Sequence, residues 1–201
     1  FNCAVDLDLM KKNPVIGIKM PKGKTNRVRF LTLEEINLLL DTIKKSNENE
    51  FHDLIVAYIN TGARRFELLP PIFTWENINF NEKRLFIVGN RSNERYIPIN
   101  PKLMEILKRN KDNGFEHPFN FKPDYVSHKI RYFYNLAKIE GANLHSLRKT
   151  FGSLLLQQGF ASMYEVSKLL GHSSIKTTER YYVDLLDDNY REPLDKLSEI
   201  I

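Results

Sequence analysis

Residues 144–159 read LHSLRKTFGSLLLQQG, and this stretch sets the kind of fold that the rest of the chain must accommodate. Its apolar residues recur at helical spacing, at Leu144, Leu147, Phe151, Leu154 and Leu155. Gly159 then provides a typical helix end. The stretch therefore predicts an amphipathic helix packed on a core. His145 and Arg148 lie in its first turn, and their spacing puts both on one side.

Further helices are predicted on both sides of this one. Thr32 and Glu35 form a capping box in front of an apolar stripe, and Ser162 and Glu165 do the same for a helix that Gly171 ends. Additional helices are expected over residues 51–59, 63–69, 101–108, from Pro123 onward, 174–182 and from about 188 onward.

The middle of the chain changes its pattern. Residues 72–80, 84–88 and 95–99 are short and rich in aromatic and β-branched side chains, and polar turns separate them. They predict a three-stranded antiparallel meander. The expected fold class is therefore mostly α with a small three-stranded antiparallel sheet.

Composition limits the class of protein. With 201 residues, 42% hydrophobic and 27% charged, the chain has the make-up of a globular domain. No apolar run is long enough to span a bilayer, so we expect no membrane contact and a cytoplasmic location. The single cysteine, Cys3, excludes an internal disulfide and a cysteine-based zinc site.

Charge is unevenly distributed along a chain whose net charge is +5. Residues 11–29 hold seven basic residues and no acidic one, and their prolines and glycines disfavour a regular helix. This stretch predicts either an extended strap along phosphates or a solubilising linker. The acidic residues after position 183 are expected on a solvated helix face.

Several short motifs bring together residues suited to phosphate chemistry. Arg64 follows a helix break, and Glu67 three residues later is placed to orient its guanidinium. His172 lies in a turn between two helices, and Tyr181 and Tyr182 follow on the second helix. Each motif alone is more often a surface ion pair, a capping residue or a packed aromatic. Their combination provides cations for a phosphate and a hydroxyl nucleophile.

The cofactor requirement follows from what the sequence does not contain. It has neither a cluster of carboxylates for magnesium nor a glycine-rich phosphate loop, and its histidines have no companions for a zinc site. We therefore expect no metal and no cofactor, and a reaction that needs no nucleotide.

The order of the motifs resembles the tyrosine recombinase (phage integrase) family. The matching stretches are Thr-Gly-x-Arg-x-x-Glu-Leu at 61–68, His-x-Leu-Arg at 145–148, Leu-Leu-Gly-His at 169–172 and Thr-Thr-x-x-Tyr at 177–181. The resemblance implies a catalytic domain over residues 27–185. It also implies an interdomain linker, or the end of a core-binding domain, over 1–26. Residues 186–201 are expected to form a helix that docks on a neighbouring protomer or on its own core.

The resemblance also implies a role for each residue. Arg64 and Arg148 would clamp the scissile phosphate, with Glu67 behind Arg64. His145 and His172 would assist by hydrogen bonding and proton transfer. Tyr181 would be the nucleophile that forms a 3′-phosphotyrosyl link, with Tyr182 as its neighbour. The expected partner is double-stranded DNA, with a homotetramer on DNA and a monomer or weak oligomer without it.

One departure from the family concerns the turn between the second and third strands. The family usually has a lysine there, whereas residues 89–95 of this chain contain none. Arg91 is the candidate replacement, but its pKa is too high for easy proton donation. We therefore expect charge stabilisation from Arg91 and slow cleavage. DNA contacts are predicted at Arg65, Lys149, Lys176, Lys22, Lys24 and Arg27.

Other functions stay open from the sequence. A type IB topoisomerase would use similar chemistry without exchanging partners. Residues 162–182 also fit a helix-turn-helix of a non-enzymatic DNA-binding protein, with Lys176 and Arg180 exposed. A third alternative is a recombinase fold that binds DNA without cutting it.

Overall fold

In the computed structural model, the described residues are 1–18, 29–89 and 94–182. Within them the α-helices are α1 (Asn2–Asp6), α2 (Leu33–Lys45), α3 (Asn49–Thr61), α4 (Pro101–Asp112), α5 (Pro123–Leu136), α6 (Leu144–Gln157), α7 (Met163–Leu170) and α8 (Ile175–Tyr182). The strands are β1 (Ile78–Asn79), β2 (Arg84–Ile87) and β3 (Arg95–Pro98). The predicted fold class is confirmed.

The helix starts follow the predicted capping chemistry. At the start of α2, the Thr32 hydroxyl accepts the Glu35 backbone N–H and the Glu35 carboxylate accepts the Thr32 N–H. Ser162 and Glu165 make the same exchange at α7. These reciprocal bonds satisfy N–H groups that have no partner inside the helix. Helices α4 and α5 begin at prolines, also as predicted.

Helix α6 lies at the centre of the helical layer and packs against both α3 and α7. Its predicted stripe faces the core, with Leu147 fully buried in the same core cluster as Leu54 of α3 and Phe133 of α5. The hydroxyl of Thr150 also accepts the backbone N–H of Leu31, which ties the start of the domain to α6. The first turn of α6, with its polar residues, is therefore held in a fixed position.

The sheet has the order β1-β2-β3 and all its pairings are antiparallel. Leu85 pairs with Ile97 in the register of β2 and β3. Side chains on β3 alternate, with Arg95 and Ile97 buried and Tyr96 exposed. A charged residue thus occupies the core-facing side at the beginning of the strand.

Two predicted elements are wrong in extent. The first strand was expected over residues 72–80, but only Ile78–Asn79 pairs, because Trp75–Asn77 forms a 3-10 turn closed by Asn77. Residues 63–69, expected to be helical, contain only the 3-10 turn Arg65–Leu68. Leu69 after it is extended, as is usual for a residue in front of proline.

Two smaller differences concern helix length and the N-terminal segment. Helix α4 continues to Asp112, beyond the predicted end at residue 108. The single helical turn α1 lies within the segment expected to be a linker. In the described part of the chain, no helix combines the length and apolar composition needed to cross a bilayer.

Some predictions lie outside the described residues. These are the DNA contacts at Lys22, Lys24 and Arg27, the role of Arg91, and the helix from about residue 188. The domain limits at 26/27 and 185/186 also stay predictions.

Candidate active site

Arg64 lies directly after the break that ends α3. Gly62 adopts the left-handed conformation there (φ 59°), and Arg64 follows in an extended conformation. Nη1 of Arg64 donates to Oε1 of Glu67 at 2.8 Å, and its backbone N–H donates to Oε2 at 2.7 Å. The predicted pairing is confirmed. Because the Arg64 side chain is 36% exposed, its guanidinium stays accessible to a ligand.

Glu67 is buried and ionised. Burial acts to raise the pKa of this carboxyl, but the hydrogen bond and charge of Arg95, joined by bonds from Arg64, outweigh burial and lower the pKa. The carboxylate therefore keeps its negative charge at neutral pH. That charge holds the Arg64 guanidinium in one orientation.

Arg148 connects two helix ends. Its side chain reaches from the first turns of α6 to the carbonyl oxygens of Gly62 (2.6 Å) and Leu170 (2.5 Å), where α3 and α7 end. Carbonyl groups at helix C-termini carry partial negative charge, which favours a cation there. Arg148 is 4% exposed, and these two bonds fix the plane of its guanidinium.

His145 lies at the mouth of a crevice that Arg64, Arg65 and Arg131 also line, with a volume of about 310 Å³. Although the residue is exposed, desolvation by the surrounding protein lowers the pKa of its imidazole. The positive charges of Arg148, Lys149 and Arg64 lower that pKa further. The ring is therefore neutral at pH 7 and can accept or donate a hydrogen bond.

His172 lies in the turn between α7 and α8. Gly171 is left-handed (φ 65°) and ends α7, and Nδ1 of His172 lies 2.7 Å from Oγ1 of Thr178 in α8. Burial, followed by the charges of Arg148, Arg64, Arg95 and His145, lowers the pKa of His172 to about 4. Arg148 binds the carbonyls two residues before Arg64 and two residues before His172, so these side chains lie in the same region of the fold.

The structure thus brings together four of the predicted site residues, Arg64, His145, Arg148 and His172. For Tyr181 it describes the backbone only, within α8, and this helix begins three residues after His172. The Tyr181 side chain lies outside what is described.

The predicted DNA contacts are distributed around the cluster. Arg65 donates to the Ser127 hydroxyl at 2.9 Å and lies 3.4 Å from Asp124, which ties the crevice to α5. Lys149 is half-buried beside His145, and Lys176 is exposed on α8. These positions do not test whether the three residues contact DNA, so the three DNA contacts stay predictions.

The sequence analysis missed two residues of the site, Arg95 and Thr178. Arg95 binds both carboxylate oxygens of Glu67, the partner of Arg64, and Thr178 is fully buried against His172. A signal for Arg95 was present, because strand alternation places it on the same face as Ile97 and Ile99. A charge on a core-facing position requires a buried partner.

The arrangement places two arginines fixed by hydrogen bonds close to two neutral imidazoles. Such a set can bind an anion and form hydrogen bonds with it at neutral pH. Across residues 1–18, 29–89 and 94–182, no group of three or more His, Cys, Asp or Glu side chains is arranged to hold a metal ion. The cluster is suited to a phosphate ester.

Comparison with known proteins agrees with this fold. The Tn1549 transposon integrase, solved in complex with circular intermediate DNA, superposes with a TM-score of 0.72 at 18% identity, over 97% of this chain and 76% of that one. The chain is 27% identical to tyrosine recombinase XerC of Pediococcus pentosaceus, covering 96% of this chain and 71% of that protein. It is 30% identical to a tyrosine recombinase of Pseudothermotoga lettingae, covering 98% and 70%.

The fold is that of a tyrosine recombinase catalytic domain. The model described as "Phage integrase family" matches residues 29–188, and the chain belongs to this family. It spans 56% to 71% of the length of the XerC relatives that it matches.

Proposed function

We propose that this chain is the catalytic part of a site-specific DNA recombinase that uses Tyr181 as its nucleophile. The observation that carries the proposal is the proximity of Arg64, His145, Arg148 and His172: Arg148 joins the turns that hold Arg64 and His172 through the Gly62 and Leu170 carbonyls, and both arginines lower the pKa values of the two histidines. These residues come from three separate segments of the sequence, so their meeting depends on the fold.

The proposed reaction is a transesterification at phosphorus. The Tyr181 phenol oxygen attacks the phosphodiester, and the bond from phosphorus to the 5′ oxygen breaks as the phenol loses its proton. The 5′ oxygen leaves as a hydroxyl after taking up a proton. Because the phosphotyrosyl ester conserves the bond energy, a 5′-hydroxyl from a second strand can reverse the step without ATP.

Arg64 and Arg148 stabilise the charge that builds on the non-bridging oxygens. A guanidinium stays charged and can contact two oxygens at once. The exposed part of Arg64 gives access to a DNA strand, while the two carbonyl bonds of Arg148 support a fixed orientation. Positioned cations of this kind need no reorganisation during the reaction.

The two histidines serve as hydrogen-bond partners and proton carriers. Both are neutral at pH 7 because their pKa values are lowered. Nδ1 of His172 is engaged by Thr178, so we assign Nε2 to the phosphate. Thr178 and Tyr181 are three positions apart on α8, which links the orientation of His172 to the helix that carries the nucleophile.

Double-stranded DNA is the proposed substrate. The net charge of +5 favours a polyanion, and the structurally similar Tn1549 integrase was solved with circular intermediate DNA. We assign Arg65, Lys149 and Lys176 to the DNA backbone near the reacting phosphate. Assembly as a tetramer on DNA and a cytoplasmic location are part of the same proposal.

The test is covalent trapping on nicked duplexes of randomised sequence, in which the cut fragment diffuses away. We expect a protein–DNA adduct that survives denaturant and forms equally well with a metal chelator present. Tyr181→Phe should abolish the adduct, and the matched neighbour variant Tyr182→Phe should retain it.

Each other outcome counts against the proposal. An adduct that persists in Tyr181→Phe rejects the nucleophile assignment. DNA binding without any adduct in the parent protein favours a DNA-binding protein that does not cut. Relaxation of supercoils by a monomer, without strand exchange, favours the topoisomerase. For Arg91, an Arg91→Ala variant that cleaves as fast as the parent removes its proposed role.

A further inference from the structure

Arg95 is a buried charge at the start of β3, and the roles proposed above do not include it. Its side chain is 5% exposed and makes three charge-assisted contacts. Nη2 donates to Oε2 of Glu67 at 2.7 Å, Nη1 donates to Oε1 at 3.3 Å, and Nε donates to the Leu169 carbonyl at 2.7 Å. One side chain therefore bridges β3, the 3-10 turn after α3, and the end of α7.

On the Glu67 side, Arg95 completes the support of Arg64. Each carboxylate oxygen of Glu67 accepts one bond from Arg64 and one from Arg95. A carboxylate held by one partner can rotate with it, whereas bonds from two cations to both of its oxygens fix its plane. The direction in which Glu67 holds Arg64 thus depends on Arg95.

On the α7 side, Arg95 supports the turn that carries His172. The next carbonyl after Leu169 belongs to Leu170, which accepts from Arg148. Cδ of Arg95 also lies so close to Gly171 that a Cβ there would be 3.0 Å away. Arg95 therefore contacts the turn just before His172.

Stability alone is a weak reason for this charge. Burying an ion pair removes two charges from water, and apolar side chains of similar volume are often equally stable or better. A bidentate guanidinium, however, imposes distances and angles that an apolar side chain does not. The three contacts of Arg95 all end at groups next to the proposed reacting residues.

We infer that Arg95 is a positioning residue, which aligns Arg64 through Glu67 and His172 through the Leu169–Gly171 turn. The inference rests on the proposed function, because the alignment matters for phosphoryl transfer. Arg95 does not touch the substrate in this scheme. Its loss should therefore slow the chemical step and leave DNA affinity nearly unchanged.

The experiment compares Arg95→Lys and Arg95→Met with Arg109→Lys and Arg109→Met. Arg109 also pairs with a largely buried carboxylate, that of Asp53, but away from the site. The readouts are DNA Kd and the single-turnover rate of adduct formation at saturating protein, using a duplex recovered from the trapping experiment. Thermal unfolding identifies any variant that fails to fold, and Arg95→Lys is the milder change.

We expect Arg95→Lys to slow adduct formation by about 100-fold, as displacements of about 1 Å can do, with Kd within about threefold of the parent. Both Arg109 variants should cleave at the parental rate. A folded Arg95 variant that cleaves at the parental rate, or one that loses affinity and rate together, overturns the inference.

A parent that forms no adduct would reject the proposed function instead. Nuclear magnetic resonance then decides the question for Arg95. The His172 ring signals and the Arg64 Nε–H signal should move in Arg95→Lys and stay in place in Arg109→Lys. Unmoved signals in both variants would overturn the positioning role.

Discussion

Helices α3 and α7 end in the same way but are supported differently. Both close with a left-handed glycine, Gly62 at φ 59° and Gly171 at φ 65°, and both are followed within two residues by a site residue. A Cβ on Gly62 would lie 2.4 Å from the Phe151 ring, whereas on Gly171 it would meet the side chain of Arg95 at 3.0 Å. The first turn is therefore fixed by the core and the second by polar contacts.

This difference shows that the same backbone motif can be supported either by core packing or by hydrogen bonds from side chains. The turn after α3 is enclosed by aromatic packing and by a buried carboxylate. The turn after α7 is held by hydrogen bonds from the buried side chains of Arg95 and Arg148. We expect substitutions in the first turn to reduce the free energy of unfolding, and substitutions in the second to affect mainly the reaction.

The largest effect is expected from Glu67→Ala. It leaves Arg95 buried without a counter-charge, and breaking a buried pair in this way costs about 3–5 kcal/mol. Urea denaturation measures the free energy of unfolding. Glu105→Ala is the control, because this exposed residue forms only surface pairs and should cost about 0.5 kcal/mol or less. Equal losses in both variants would contradict the role of Glu67.

Gly62→Ala should cause the second-largest loss in the free energy of unfolding. Its left-handed backbone costs a side chain about 1–2 kcal/mol, and the collision with Phe151 adds about 1–3 kcal/mol of overpacking. Gly159→Ala isolates the backbone contribution, because Gly159 has φ 65° and nothing within 4 Å of its Cβ position. Thermal unfolding of the two variants should differ clearly. If the Gly62→Ala protein were as stable as the Gly159→Ala protein, the core around Phe151 would accommodate the added methyl group, and the predicted overpacking would be wrong.

Gly171→Ala tests the second turn with the same backbone angle. The added methyl group would lie 3.0 Å from Cδ of Arg95, a milder approach than the 2.4 Å at Gly62, so the loss should stay near the strain alone, about 1–2 kcal/mol. The displaced Arg95 should nevertheless slow adduct formation more than Gly159→Ala does. Both variants are compared by thermal unfolding and by the single-turnover rate of adduct formation. A loss of stability as large as that of Gly62→Ala would remove the distinction between the turns.

Thr178→Val should cost about 1 kcal/mol, the usual value of one hydrogen bond, and should reduce adduct formation by misorienting His172. Thr177→Val is the control, because Thr177 is exposed on the same helix. If both variants cleave alike, the Thr178 contact does not orient the histidine.

The pH dependence of stability gives an effect that builds up gradually as pH decreases. In the unfolded chain His172 has its ordinary pKa of 6.5, and in the folded protein its pKa is about 4. Between these values the unfolded state binds more protons, so stability should fall as pH decreases from 6.5 towards 4. His145 acts in the same direction.

The measurement is urea denaturation as a function of pH. A His172→Gln variant should show a shallower decline than the parent above pH 5. The exposed His128 provides the control, and His128→Gln should keep the parental slope. A parental slope in His172→Gln would contradict the lowered pKa.

The sequence allows prediction of those parts of the fold that depend on local chemistry. The capping pairs at Thr32 and Ser162 and the pairing of Arg64 with Glu67 were predictable, because each uses side chains three positions apart. The strand at Ile78 was overestimated, since aromatic and β-branched content does not reveal a 3-10 turn.

The rest of the site depends on contacts that the sequence does not display. The acceptors of Arg148 are backbone carbonyls, and any residue offers one. The contact between His172 and Thr178 likewise requires knowledge of how α8 leaves its turn. Arg95 was predictable in principle from strand alternation, but its partner Glu67 was not.

The contacts that assemble the cluster join distant parts of the chain. Arg148 binds a carbonyl 86 residues earlier, and Arg95 binds one 74 residues later. Contacts of such long range form late and make folding slower. A chain still emerging from the ribosome therefore contains Arg64 and Arg95 before the residues of α6 and α7 that complete the cluster. The cluster can form only after α7 and the turn behind it have been synthesised and docked, and the proposed nucleophile in α8 emerges later still.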